Sequence, residues 1–200
     1  MMREWLLLYE EQGNPPVQMK TSTFQLHPNT FPSTVSTAEL AREIDFVEEF
    51  LASDPSPIVF CHNDLTSGNM LLSSEAKENV KPLYSEDILA KRKAGRKDKD
   101  VTLTLVDFEF SSYNYRGFDL ANYFCAAAIE HNIREFPHYK IDLVKMQNRS
   151  VKLEFCKEYV KEARKLNIQI KSEYSLLREI NQFAPIVHLF WAIFNLYCEK

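Results

Sequence analysis

The residues best suited to chemistry in this 200-residue chain stand in two short runs, His62-Asn63-Asp64-Leu65-Thr66-Ser67-Gly68-Asn69 and Val106-Asp107-Phe108-Glu109. The first holds a carboxylate and an amide oxygen five residues apart, close enough for one loop to carry both. Moving a phosphoryl group to a hydroxyl asks for little more: an acceptor for the hydroxyl proton and oxygen ligands for a divalent metal between the phosphates. Neither run offers cysteine or clustered histidine, and oxygen donors alone are what Mg²⁺ prefers. Each run by itself is weak, because an aspartate in a polar loop is more often a turn or cap residue. Their order along the chain, loop first and strand end second, lifts the pair above that background.

Short strands must deliver these residues. Ile58-Val59-Phe60-Cys61 reads as a buried strand running into His62, and Met70-Leu71-Leu72 resumes apolar character after Asn69. Residues 101–106 alternate apolar side chains with threonine, a half-buried strand ending at Asp107. The polar residues 73–100 read as a loop insertion between two strands. That loop ends in the basic run Lys91-Arg92-Lys93-Ala94-Gly95-Arg96-Lys97, for which a localisation or nucleic-acid patch and a solvated hairpin loop both stay open. The lack of interleaved aromatics favours the loop.

The flanks are predicted to be helical. A first helix packs through Trp5 and Leu8 and ends at Gly13-Asn14-Pro15-Pro16, with an extended connection over residues 14–35. Ser36 and Glu39 form a capping-box pattern. Behind it Leu40, Ile44, Val47 and Leu51 share one helical face. After Asp107 the chain is expected to be helical throughout. The spacing predicts helices over 119–131, from Ser150 with Leu153, Cys156, Val160 and Ala163 on one side, and from Ser172 through Phe194 with a kink at Pro185.

Bulk properties narrow the classes. A 45% hydrophobic chain can enclose one sizeable core, and a net charge of −4 gives no global attraction to nucleic acid or anionic membrane. Cys61, Cys125, Cys156 and Cys198 make no C-x-x-C pair and are expected as buried free thiols. No apolar run reaches the ~18–20 residues of a membrane span, so a cytoplasmic protein without an integral membrane segment is expected.

The His-x-Asp-x-x-x-x-Asn spacing is that of the protein-kinase catalytic loop, with Leu kept at Leu65 and Arg replaced by Asn63. Asp107 stands where the D-F-G aspartate of those enzymes binds Mg²⁺. Longer stretches are more specific. Residues 60–64, 68–72 and above all Ser111-Ser112-Tyr113-Asn114-Tyr115-Arg116-Gly117-Phe118-Asp119 resemble the choline/ethanolamine kinases, and choline kinases more than ethanolamine kinases. The resemblance covers nearly the whole chain but only that family's C-terminal lobe. It implies an α+β, predominantly helical fold, a protein-kinase-like C-terminal lobe with a small β-hairpin at the active site. It also implies ATP and Mg²⁺ as cofactors, and phosphorylation of choline or ethanolamine in phospholipid-precursor synthesis. Asp64 would be the base, Asn69 and Asp107 the Mg²⁺ ligands, Glu109 a neighbour of the metal, and His62 and Asp119 organisers of the site.

Where this sequence departs from the family, recognition of the substrate is affected. The family holds a quaternary ammonium between two tryptophans one turn apart; here Trp191 is kept and Phe194 replaces the second, leaving an aromatic box and plain core aromatics as open readings. Ala126 stands where the family places an acidic residue, and His131 where it has a tyrosine. The four glycines build no G-x-G-x-x-G loop, so the nucleotide-binding N-terminal lobe is expected to be absent from these residues. That absence leaves a second reading: a truncated, non-catalytic kinase-like module that binds or pairs with a full-length relative, as a homo- or heterodimer.

Overall fold

The computed structural model describes residues 1–18, 34–53, 56–72, 103–131, 133–135 and 138–198. The chain divides into two units, Met1–Pro55 with His188–Lys200, and Ser56–Val187.

The first unit contains α1 (Met2–Glu11), the short antiparallel pair β1 (Val17–Gln18) and β2 (Thr34–Val35), and α2 (Thr37–Ser53). The expected capping box starts α2: Ser36 N–H donates to Glu39 Oε2 at 2.8 Å, and Glu39 N–H donates to Ser36 Oγ at 3.3 Å. Ile44 and Val47 of the forecast apolar face are buried. On α1 the buried residues are Leu6 and Tyr9, while Leu8 is 41% exposed, which corrects the expectation that Leu8 packs inward. Met2, Trp5, Leu6 and Tyr9 follow the i, i+3, i+4, i+7 stripe of a helix, and Leu8 falls off it. Leu6, Ile44 and Ile193 form the core, flanked by Trp5, Leu40 and Leu189.

The second unit holds three separate two-stranded antiparallel sheets among its described residues, two of which frame the candidate site. In one, β3 (Ile58–Cys61) pairs with β6 (Ser112–Tyr115), with Cys61 opposite Ser112. In the other, β4 (Met70–Leu72) pairs with β5 (Leu103–Leu105), with Met70 opposite Leu105. This second sheet is the forecast hairpin. Residues 73–100 and their basic run lie outside the described residues. The expectation that Ile58–Cys61 is buried is only half right. Ile58 and Phe60 are each 62% exposed and Cys61 is buried, because successive side chains of a strand point to opposite faces and this small sheet is covered on one.

Helix α3 (Arg116–Ala127) begins three residues before the expected start and ends four before the expected end. Ile129-Glu130-His131 is instead β7, paired with β8 (Tyr139–Ile141), so the chain after Asp107 is not helical throughout. The alternation Ile129-Glu130-His131 suits a strand, and Ile129 finds Ile141 as its cross-strand partner. Then come α4 (Leu143–Met146), α5 (Arg149–Lys165) and α6 (Glu173–Cys198). Asp142 caps α4 by accepting from Lys145 N–H at 3.0 Å, and Asn148 caps α5 by accepting from Val151 N–H at 3.2 Å. Cys156, Val160 and Ala163 are buried as expected, and α6 is assigned unbroken through Pro185. Burial pushes the Cys61 thiol up to about 12 and those of Cys125 and Cys156 up to about 11, so all three stay protonated. Cys198 is exposed, against expectation, because it falls on the last turn of α6.

Gly117 sets how closely α3 approaches α6. A β-carbon there would lie 2.8 Å from Phe183 Cε2 and 2.9 Å from Glu179 Cγ. Phe183 is fully buried and cannot move aside cheaply. Gly117→Ala is therefore expected to destabilise the protein by about 1–3 kcal/mol through overpacking. A urea midpoint equal to that of the parent protein would contradict the close packing.

Candidate active site

β3 ends at Cys61 and releases a loop that runs through a 3₁₀ turn, Ser67–Asn69, into β4. His62 and Asn63 are both buried at 4% exposure, which is unusual for polar residues and calls for full hydrogen bonding. Asp119, in the first turn of α3, supplies much of it. Its Oδ2 accepts from His62 N–H at 3.1 Å and its Oδ1 from Asn63 N–H at 2.8 Å. One carboxylate thus holds two consecutive N–H groups at the point where the strand becomes the loop. Burial lifts the Asp119 carboxyl above the usual carboxylate range, an effect those two bonds only partly offset. With the folded pKa above the unfolded one, the stability linked to this proton is fully present below the unfolded pKa. It is lost as pH rises through the folded pKa.

Asp119→Asn tests the double contact, since an amide has one acceptor oxygen and must turn its NH₂ toward the other N–H. A loss of about 1–3 kcal/mol is expected in urea unfolding at neutral pH. No loss would mean that the two N–H groups do not depend on this carboxylate.

His62 braces the loop from the other side. Asp64 N–H donates to its Nδ1 at 3.3 Å, and its Nε2 lies 2.9 Å from Val106 O. A backbone N–H can only donate and a carbonyl only accept, so Nδ1 is the accepting nitrogen of the ring and Nε2 the donating one. The same ring lies 4.8 Å from that of Phe108.

Asn69 then joins the two motifs. Its Nδ2 donates to Asp64 O at 3.0 Å and to Asp64 Oδ2 at 2.9 Å, so both amide hydrogens are used and Oδ1 is the atom left for a ligand. Val106 N–H donates to Asn69 O at 3.1 Å, which adds one rung to the β4–β5 ladder and brings Asn69 and the residue before Asp107 to the same end of the hairpin. Asp107 sits at φ +66°, a left-handed conformation that aspartate and asparagine adopt more readily than other residues with a β-carbon. Asp64 is half-buried, while Asp107 and Glu109 are exposed. Among the described residues no group of three or more His, Cys, Asp or Glu could by itself hold a metal ion. The donors available are the Asp107 carboxylate and the Asn69 amide oxygen, with Glu109 two residues on. Such a set fits Mg²⁺, which takes hard oxygen ligands, needs few from protein and keeps several waters.

Trp191 and Phe194 lie edge to face, ring centroids 5.4 Å apart at 85°. Both belong to the first unit, where Trp5 packs on Phe194 at 5.0 Å and on Phe190 at 5.2 Å. Asp64, Asn69, Asp107 and Asp119 all belong to the second. Ala126 is half-buried on α3 and His131 is exposed on β7. A cavity of about 380 Å³ lined by Arg149, Tyr174, Leu177, Arg178, Asn181 and Gln182 contains none of these residues.

Residues to which pattern reading gave no role are three asparagines, Asn63, Asn114 and Asn122. Asn63 bonds Phe110 O, Ser112 Oγ and the Asn114 amide, and Asn122, almost fully buried, donates to Leu65 O at 3.4 Å. The signal they carry is visible only with the structure: Asn114 lies inside a strand, where asparagine is disfavoured unless its side chain has a partner.

A family model described as choline/ethanolamine kinase matches residues 1–200. Choline kinase A2 of Caenorhabditis elegans is 37% identical over 170 residues, covering 82% of this chain and 39% of that protein. The choline/ethanolamine kinase of Homo sapiens is 36% identical over 162 residues, covering 78% of this chain and 36% of its own length. Among solved structures, an ethanolamine kinase of Plasmodium vivax superposes with a TM-score of 0.60 at 20% identity, over 98% of this chain and 41% of that one. A choline kinase of Cryptosporidium parvum gives 0.60 at 18% identity, over 100% and 49%. The α+β, predominantly helical fold is shared with these structures, and the chain spans less than half the length of the relatives named here.

Proposed function

This chain belongs to the choline/ethanolamine kinase family, and from that premise we propose that it carries the C-terminal catalytic lobe of a kinase that moves the γ-phosphate of ATP to the hydroxyl of choline or ethanolamine. The observation that carries the reading is the hydrogen-bonded path from Asp64 through Asn69 to Val106, the residue before Asp107. In it a carboxylate suited to take a proton is bonded to an amide whose oxygen is left for a metal, at the end of the hairpin that leads into Asp107.

Asp64 accepts the proton of the attacking hydroxyl, while Asn69 Nδ2 fixes one of its oxygens so that the other can face the substrate. Asp119 and His62 hold the backbone on which Asp64 sits. Mg²⁺, when bound, neutralises the charge on the phosphates; Asn69 Oδ1 and the Asp107 carboxylate would hold it, with Glu109 beside them. The cationic head of the substrate is assigned to Trp191 and Phe194, since each aromatic face contributes roughly 0.5–2 kcal/mol to a cation. A site in the cytoplasm belongs to the same proposal; no described helix is long and apolar enough to cross a membrane.

The test is to incubate the protein with ATP, Mg²⁺ and either amino alcohol and follow phosphorus resonances. Phosphocholine or phosphoethanolamine that needs Mg²⁺ supports the reading. ATP left intact with both alcohols contradicts catalysis by this chain. The alternative reading is a module without turnover of its own that pairs with a longer relative. A stable complex with such a relative, seen by sedimentation without product from this chain, is its mark.

A further inference from the structure

We propose that the side-chain amide of Asn63 is a clamp that positions the loop bearing Asp64 against the segment following Asp107, and that its polarity is fixed at both ends. Asn63 Nδ2 donates to Phe110 O at 2.8 Å and to Ser112 Oγ at 2.9 Å. Its Oδ1 accepts from Asn114 Nδ2 at 2.9 Å, and Asn114 Oδ1 accepts from Tyr115 N–H at 2.8 Å. Tyr115 N–H can only donate, so Asn114 must turn its oxygen there and its nitrogen toward Asn63. Phe110 C=O can only accept, so Asn63 must turn its nitrogen there and its oxygen toward Asn114. Neither amide can flip without setting like against like at a backbone group.

The clamp matters because backbone pairing leaves a gap that it fills. The Asp64 loop leads from β3 to β4, and residues 106–111 lead from β5 to β6. β3–β6 and β4–β5 are separate sheets. Besides the bond from Val106 N–H to Asn69 O, side chains join the loop to this segment. His62 Nε2 reaches Val106 O at 2.9 Å, Ser111 Oγ reaches His62 O at 3.3 Å, and Asn63 makes the contacts just described. Asn63 is also held as a whole: its N–H is bonded to Asp119, its φ is +64°, and it is 4% exposed. The spacing of Asp64 and Asp107 therefore depends on an amide that contacts neither. That this spacing serves catalysis rests on the reading above; the clamp itself does not.

Amide hydrogen exchange of the 200-residue protein tests it without turnover or metal. Asn63→Gly keeps the left-handed backbone free of strain and deletes the clamp. Exchange at Ser111 and Tyr115 should quicken about tenfold or more, a drop of 1.4 kcal/mol or more in local opening free energy, while Leu71 and Thr104, the hydrogen-bonded pair of the β4–β5 hairpin, keep their protection. Asn63→Asp adds a readout that a space-filling role would not move. Its ionised carboxylate cannot donate to Phe110 O, but its protonated form can donate there and still accept from Asn114. The folded state thus prefers the protonated form and raises that carboxyl's pKa. Protection, corrected for intrinsic rates, should be fully present below the unfolded pKa and lost as pH rises through the folded one. Asn63→Gly should show no such recovery. Val160→Ala, a core truncation on α5, serves as a control for general destabilisation, and Asn114→Ala, cutting the relay at its other end, serves if Asn63→Asp does not fold. Unchanged protection at Ser111 and Tyr115 in Asn63→Gly, or a uniform rise matching Val160→Ala, overturns the clamp. Absence of kinase turnover would leave it standing.

Discussion

Asp64→Asn is expected to lower phosphate transfer to choline by roughly 10²–10⁴-fold, the usual contribution of a positioned general base. The substitution is nearly isosteric, and an oxygen at position 64 can still accept from Asn69 Nδ2, so the loop should keep its shape. The loss should therefore fall on kcat, with KM for choline changed little, the pattern of an interaction made only in the transition state. Steady-state rates of whichever assembly of this chain turns over choline measure both constants. A fall in kcat of less than about tenfold, when a base contributes roughly 10²-fold at least, would remove Asp64 from the role of base and leave it as a partner of Asn69.

The second large effect is on stability. Arg116 Nη2 meets Glu179 Oε2 at 2.7 Å and Nε meets Oε1 at 3.1 Å, both side chains being only 12% exposed. Ser56 Oγ adds a bond to Glu179 Oε1 at 2.8 Å. Glu179→Gln would leave a largely buried guanidinium without its counter-charge, and removing one partner of such a pair costs about 3–5 kcal/mol. Replacing both partners, Arg116→Met with Glu179→Leu, should restore much of the loss, because neither charge is then buried alone. Urea unfolding of the two variants beside the parent protein measures the difference. If Glu179→Gln cost less than about 1 kcal/mol, the pair would behave as an exposed bridge. Arg116 lies three residues before Asp119, so the single variant should also loosen the support of the Asp64 loop.

What could be read from the sequence was chemistry written in neighbouring residues. The Ser36–Glu39 box, the face of Ile44 and Val47, the buried side of α5 and the hairpin leading to Asp107 depend on spacing within one element or between adjacent ones. Misreadings arose where partners are distant. Ile58 and Phe60 look like core residues, yet their outer face is left exposed by a sheet of two strands. Ile129–His131 looks like the tail of a helix until Tyr139–Ile141 pairs with it. At the site, the His62–Asn69 and Asp107–Glu109 runs stood out in the sequence because their residue types and order suit phosphoryl transfer, the role proposed for them above. The bonds from Asn63 to Phe110 and Ser112 span 47 and 49 residues. Nothing in the local pattern marks Asn63 as the residue that makes them.

The central claim is that Asp64, Asn69 and Asp107 share one metal-dependent phosphoryl-transfer site, and Mn²⁺ in place of Mg²⁺ tests it most directly. The ion broadens nuclear resonances in its neighbourhood, so the signals lost at low Mn²⁺ show which residues surround it. The expected result is selective loss of the Asn69 side-chain amide and of the Asp107 backbone amide, with Asp64 affected next. Asp107→Ala should abolish the broadening, and excess Mg²⁺ should reverse it. Broadening centred elsewhere, or unchanged by Asp107→Ala, would contradict the shared site.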